Sequence, residues 1–273
     1  MTPFSSVDAV DRHDAFPSTP NGTAALLLAG SSGRIEVERA ELLASHGARV
    51  RAIRWFGGSG QRPAPHEVPL ELFSHQLDEL RGDADRIVVF GTSFGAEAAL
   101  ATAAMTPVDA VIAVAPSSVV WAGTLDGAWS SHWTLRSEAI PFVPFLRGWS
   151  PETDPPAFRS LYERSLHADA EAAAAARIPV ERITAEVLLV FGGDDQVWPS
   201  DVFAADIVRT REKHSLATVV VSHPTAGHRM LLPGETPSTA GVRMARGGSP
   251  DADAELGRLA WTQISRLLRL HTS

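Results

Sequence analysis

One stretch constrains this chain more than any other: Arg86-Ile87-Val88-Val89-Phe90-Gly91-Thr92-Ser93-Phe94-Gly95, followed by a run of mostly alanines from Ala96 to Ala104. The β-branched and aromatic part reads as a buried strand. It closes on G-x-S-x-G, and the alanine-rich segment behind it is a strong helix former. Strand, tight turn, helix is the context that separates a nucleophile elbow from an ordinary βα turn holding a serine. Ser93 must then sit on a turn sharp enough to lift its hydroxyl off the sheet edge, in a backbone conformation costing about 1–3 kcal/mol. Gly91 and Gly95 flank it because side chains there would collide with the neighbouring strand and helix. The N-terminus of the following helix favours negative charge developing above the serine.

Around the elbow the chain alternates strands and helices. Residues 1–22 are polar and punctuated by Pro3, Pro17 and Pro20, which predicts an extended arm with an edge strand near Val7 to Val10. Further core strands are expected over Thr23 to Ala29, Arg49 to Arg54, Ala110 to Ala115, Glu186 to Phe191 and Thr218 to Val221. Helices are expected at about Ile35 to Ser45, Leu70 to Leu80, Asp201 to Lys213 and Ala254 to Leu270. That rhythm implies an α/β fold, a mostly parallel sheet with helices on both faces. It breaks between about residues 117 and 180, a stretch too long for a plain loop and rich in tryptophan (Trp121, Trp129, Trp133, Trp149) and proline. This segment reads as a cap inserted into the α/β domain of residues 23–273, its aromatics covering an apolar cavity.

A serine hydroxyl is a poor nucleophile at neutral pH, so Ser93 needs a base, and the base needs an orienting acid. In this architecture the partners follow in the order serine, acid, histidine. After the strand ending at Phe191 comes Gly192-Gly193-Asp194-Asp195-Gln196, an acidic turn at the carboxyl edge of the sheet, where ligand-handling groups gather. Either Asp194 or Asp195 can serve as the acid. After the next strand comes His223-Pro224-Thr225-Ala226-Gly227-His228. His228 is the better base, because Ala226-Gly227 gives it a flexible approach, whereas His223 beside Pro224 is placed to pack or cap locally. The remaining histidines read as surface or partly packed side chains. The oxyanion formed on attack needs two aimed N–H donors, each worth on the order of 3–4 kcal/mol of barrier. One is the amide of Phe94; the other belongs to the loop Gly30-Ser31-Ser32-Gly33, with Ser31 preferred to Ser32. Ser32 and Trp121 are the candidate substrate contacts.

The formal charge of −8 and pI near 5.7 give nucleic-acid binding no electrostatic support. No cysteine is present, which excludes disulfides, thiolate metal sites and a cysteine nucleophile. The scheme calls for no cofactor and no metal. Without a basic leader, and with Ala24 to Ala29 far too short for a span, the expectation is a soluble cytoplasmic protein acting on a small molecule, with no nucleic-acid or membrane partner.

Together these segments resemble the α/β-hydrolase fold and, more narrowly, the catalytic domain shared by acyl-CoA thioesterases and bile acid-CoA:amino acid N-acyltransferase. The resemblance runs from about Leu26 to Leu270. Its specific elements are Gly30-Ser31-Ser32-Gly33 with Glu36 and Arg39, Gly91-Thr92-Ser93-Phe94-Gly95-Ala96-Glu97, Ser117-Ser118-Val119-Val120-Trp121, Ser131-His132-Trp133, Asp194-Asp195-Gln196-Val197-Trp198-Pro199-Ser200 and Ala226-Gly227-His228. The resemblance implies Asp195 as the acid and hydrolysis of an acyl-CoA or related thioester through a serine-bound acyl intermediate. It departs at three points. Family members commonly carry an N-terminal β-sandwich domain, which the two dozen or so residues before the first core strand here are too few to form. The amino-acid-conjugating members use a cysteine where this chain has Ser93, and a serine ester suits transfer to water better than to an amine. The loop after His228 reads Leu231-Leu232-Pro233-Gly234-Glu235 in place of an aromatic-proline run.

The alternatives are a carboxylesterase or dienelactone-hydrolase-like enzyme with the same triad, and a binding module with none. The negative net charge disfavours polyanionic CoA, against which Arg34, Arg54, Arg136, Arg147 and Arg229 could form a local basic rim.

Overall fold

In the computed structural model, which describes residues 7–237 and 242–271, seven strands form one sheet in the order β1-β3-β2-β5-β6-β11-β12. These are β1 (Arg12–Ala15), β2 (Thr23–Leu28), β3 (Arg49–Ile53), β5 (Arg86–Thr92), β6 (Ala110–Val114), β11 (Glu186–Gly192) and β12 (Val219–His223). All neighbours are parallel except β1, which runs antiparallel to β3 at the edge. The central strands are continuous apolar runs because both faces are covered. Successive side chains then serve opposite cores. Leu26, Leu28, Val89, Val111 and Leu189 pack with α2 (Leu70–Arg81), α3 (Phe94–Ala103) and α6 (Ser200–Lys213). Leu27, Val88, Phe90, Ile112 and Val190 pack with α1 (Val37–Ser45) and α7 (Pro250–Leu268). Each such aliphatic side chain contributes about 1.5–3 kcal/mol by leaving water.

The helix behind the elbow is buried all round, so its alanines let α3 lie close against β5 and β6. Glu97 is the one charged residue among them and is fully buried.

The edge strand lies at Arg12–Ala15 rather than at Val7 to Val10. An ion pair selects this register: Asp14 faces Arg51 across the ladder, and Arg51 Nε donates to Asp14 Oδ1 at 2.7 Å. Val10 is left 78% exposed, with no such partner to hold it in a strand.

The segment between β6 and β11 holds two hairpins and two short helices. They comprise β7 (Ala122–Leu125) with β8 (Ala128–Ser131), β9 (Trp133–Leu135) with β10 (Glu138–Ala139), α4 (Arg159–Ala168) and α5 (Ala170–Ala175). The small strand β4 (Val68–Pro69) pairs with β9 and fastens this insertion to the α/β layer. Trp121 and Tyr162 of this segment form a separate apolar cluster with Trp198 and Phe203 from beyond β11, and Phe94, Phe145 and Phe158 pack against it. Trp133 instead joins Trp55 and Phe73 in the main core. Among the described residues no helix is long and apolar enough to cross a membrane.

Candidate active site

The turn after β5 has the tightness the glycines imply. Ser93 is held at φ 58°, ψ −123°. A Cβ on Gly91 would stand 2.0 Å from the carbonyl oxygen of Gly95, and one on Gly95 would stand 2.3 Å from that of Leu28 in β2. Only hydrogen fits at either place. The strained serine is fixed from both sides: its N–H donates to Val114 O at 2.9 Å, and its carbonyl accepts from Ala96 N and Glu97 N.

His228 arrives on the loop after β12, with its N–H donating to Arg246 O at 2.8 Å and the preceding Gly227 N–H donating to Asp253 Oδ1 at 2.8 Å. Its Nε2 lies 2.9 Å from Ser93 Oγ, and its Nδ1 lies 2.8 Å from Asp195 Oδ2. A carboxylate can only accept, so Nδ1 carries the ring proton and Nε2 is left to accept from the serine hydroxyl. Asp195 is wholly buried and held by further donors: Val197 N and Trp198 N on Oδ1, Ser200 Oγ on Oδ2. Asp194 points elsewhere, accepting from Gln196 Nε2 at 2.7 Å and Gly248 N at 2.8 Å. The geometry therefore gives His228 to Asp195. His223 ends β12 half-buried, its Nδ1 facing Thr225 Oγ1.

A cavity of about 320 Å³ opens beside Ser93. Ser31 and Ser32 line it from the β2 loop, and Phe94 lines it from the start of α3. The Phe94 N–H is one of the first amides of that helix, which have no acceptor within it. Phe158, Tyr162 and Val197 supply an apolar wall. Trp121 is not part of that wall. It is fully buried behind Tyr162, with ring centroids 4.6 Å apart, and its Nε1 donates to Ser117 Oγ at 3.0 Å. The substrate contact expected of Trp121 therefore has no place in this cavity, which Tyr162 lines in its stead.

Two other groups were not foreseen. His132 is buried rather than superficial: Glu97 Oε1 accepts from His132 Nδ1 at 3.1 Å, Trp133 Nε1 at 2.7 Å and the Trp121 amide at 3.3 Å. The His132 ring lies 4.3 Å from that of Phe94. A lone glutamate inside an alanine helix was the available signal. His66 is buried as well. The second group is cationic. Arg34 and Arg229 reach the cavity together with Arg246, which the sequence offered no reason to select. The other expected rim residues lie elsewhere: Arg54 near Asp11, Arg136 on the β9–β10 turn, Arg147 over the Trp129 ring. Burial, then Arg246 and Arg34, hold the Arg229 guanidinium below its ordinary pKa; burial, then Arg34, do the same to Arg246.

A parallel sheet flanked by helices on both faces, with a serine elbow after its central strand, defines the α/β-hydrolase fold. The monoacylglycerol lipase of Paleococcus ferrophilus superposes on it with a TM-score of 0.55 at 18% identity, covering 94% of this chain and 98% of the lipase. The chain belongs to the family described as BAAT / acyl-CoA thioester hydrolase C terminal, which matches residues 75–273. It is 26% identical over 250 residues to acyl-coenzyme A thioesterase 2, mitochondrial, of Mus musculus, covering 87% of this chain and 52% of that protein. It is 25% identical over 260 residues to the acyl-coenzyme A amino acid N-acyltransferase 2 of the same species, covering 89% of this chain and 59% of the relative. The chain thus spans little more than half the length of these curated relatives.

Proposed function

We propose that the chain is a serine hydrolase of acyl-CoA or related acyl thioesters. The observation that carries this reading is the unbroken hydrogen-bonded line from Ser93 Oγ through the His228 ring to Asp195, with separations of 2.9 and 2.8 Å. Family membership supplies the thioester.

His228 Nε2 takes the hydroxyl proton as Ser93 Oγ attacks the thioester carbonyl, and Asp195 stabilises the imidazolium that forms. The N–H groups of Phe94 and Ser31 hold the oxyanion, with the α3 N-terminus adding a favourable field. Collapse breaks the carbon–sulfur bond, passes the proton from His228 Nε2 to the departing sulfur and leaves the acyl group on Ser93, with His228 neutral again. His228 then removes a proton from water as it attacks the ester carbonyl, and returns that proton to Ser93 Oγ as the acyl–oxygen bond breaks and the carboxylic acid leaves. An oxygen ester on Ser93 favours water over an amine as acceptor, which separates this chain from the conjugating relatives.

The test uses a fluorophosphonate probe together with kcat/KM for an acyl-CoA and for a matched simple ester. Labelling of Ser93, loss of labelling and turnover in Ser93→Ala, and a kcat/KM higher for the thioester are expected. Acyl-CoA hydrolysis surviving in Ser93→Ala would overturn the assignment, and a higher value for the ester would move the substrate class.

A further inference from the structure

The walls of the cavity beside Ser93 differ in chemistry. Phe94, Phe158, Tyr162 and Val197 are among its apolar lining, and Arg34, Arg229 and Arg246 make a cationic group that also lines it. Among the described lining residues Glu36 is the carboxylate that stands against these three, and Arg34 Nε donates to it at 2.7 Å. Guanidinium groups gathered out of bulk water repel one another. Burial first, and that repulsion after it, hold Arg229 and Arg246 below their ordinary pKa, with Asp253 and Glu36 partly offsetting the shift at Arg229. The adjoining cleft, about 630 Å³, is different: Arg34, Arg39 and Arg229 meet Glu36, Glu38, Glu235 and Asp253 there. Of these two spaces, the one around the nucleophile has the excess of positive charge among its described lining residues.

We propose that Arg34, Arg229 and Arg246 form a subsite for an oxyanion carried by the substrate itself, a carboxylate or a phosphate, inside the cavity that holds Ser93. The inference builds on the thioester-hydrolase reading and narrows its substrate class. Planar guanidinium groups bind such anions through paired hydrogen bonds, and an anion among them removes their mutual repulsion. A short acyl chain ending in a carboxylate fits within the cavity of about 320 Å³. A phosphate on the leaving thiol would instead enter from the larger cleft, past Arg34 and Arg229, which line both.

Ligand-observed NMR with glutarate, inorganic phosphate and neutral glutaramide reads the subsite without turnover, so its outcome is independent of the hydrolase reading. Wild-type protein should bind at least one of the anions and not glutaramide, and Arg229→Gln and Arg34→Gln should each weaken that binding by about 10- to 100-fold. No binding of either anion, equal binding of glutaramide, or binding unchanged in both variants overturns the proposal. Kinetics then identify which part of the substrate carries the anion. The kcat/KM ratio of glutaryl to pentanoyl N-acetylcysteamine thioester reports a carboxylate on the acyl group. The ratio of pentanoyl-CoA to pentanoyl N-acetylcysteamine reports a phosphate on the thiol. One ratio should exceed about 10 in wild type and fall toward unity in Arg229→Gln; both near unity in wild type overturns the proposal. No turnover of any thioester, with anion binding intact, removes the thioester reading and leaves the subsite standing.

Discussion

Arg39 on α1 and Glu235 on the loop that follows His228 form a buried ion pair, with Nη2 donating to Oε2 at 2.8 Å and Nε to Oε1 at 2.5 Å. The same guanidinium donates to Met230 O at 3.2 Å, two residues beyond His228, while Glu235 Oε2 accepts from the Leu232 N–H. One ion pair thus fixes the chain on which the histidine hangs. Burial alone would lower the Arg39 pKa; Glu235 more than offsets it, and the net direction is upward.

Glu235→Ala leaves Arg39 charged, buried and unmatched, which costs about 3–5 kcal/mol. Urea unfolding should show that loss, and kcat should fall with it as His228 loses its anchor. The double variant Arg39→Met/Glu235→Met removes both charges and should recover most of the stability. A double variant no more stable than Glu235→Ala would show that the pair matters for something other than charge.

The strained backbone of Ser93 gives a second prediction. At φ 58°, ψ −123° any residue with a Cβ is disfavoured. Ser93→Ala and Ser93→Gly both remove the hydroxyl and its bond to His228, but only glycine relieves the backbone. Ser93→Gly should unfold at higher urea than Ser93→Ala by about 1 kcal/mol, with turnover lost in both. Equal midpoints would mean that the turn stores no strain.

The sequence made the sheet and the meeting of three side chains readable for one reason: each lies within a few residues of the end of a sheet strand, and those strands are rich in β-branched and aliphatic residues. Gly91 and Gly95 carried the turn's geometry, since a Cβ at either would overlap backbone. What depended on packing across the insertion was not readable. A tryptophan in a cavity wall and one behind it have the same local sequence, so Trp121 could not be told from Tyr162's place. Arg246 sits in a stretch without periodicity, and its neighbours Arg34 and Arg229 are distant in sequence. The position of the edge strand is set by an ion pair, Asp14 with Arg51, and not by apolar spacing.

The adjacent aspartates give a third prediction. Asp195 Oδ1 faces two backbone N–H donors, so Asp195→Asn must keep its oxygen there and turn its NH₂ toward His228. His228 Nδ1 would then have to accept, moving the ring proton to Nε2, where it opposes the Ser93 hydroxyl. kcat should fall roughly 10⁴-fold with little change in stability. Asp194→Asn loses one hydrogen bond to the Gln196 and Gly248 pair and should cost about 1 kcal/mol. Its kcat should stay within a few-fold of wild type. Steady-state kinetics on the two variants distinguishes them, and the reverse order would transfer the orienting role to Asp194.

Glu97 couples the insertion to the elbow. It lies on the first turn of α3, yet its Oε1 gathers donors from Trp121, His132 and Trp133. His132 in turn packs on Phe94, whose amide is the proposed oxyanion donor. Glu97→Ala strands three buried donors, each costing about 1–3 kcal/mol, so a loss of at least about 3 kcal/mol is expected. Glu97→Gln keeps an oxygen in place and should lose far less. Freed of its support, Phe94 should place its N–H poorly, so Glu97→Ala should lower kcat more than it raises KM. Denaturation and kinetics on the pair test both halves: equal stability losses in Gln and Ala would show that the shared oxygen does not hold the three donors, and an unchanged kcat in Ala would free Phe94 from any dependence on this carboxylate.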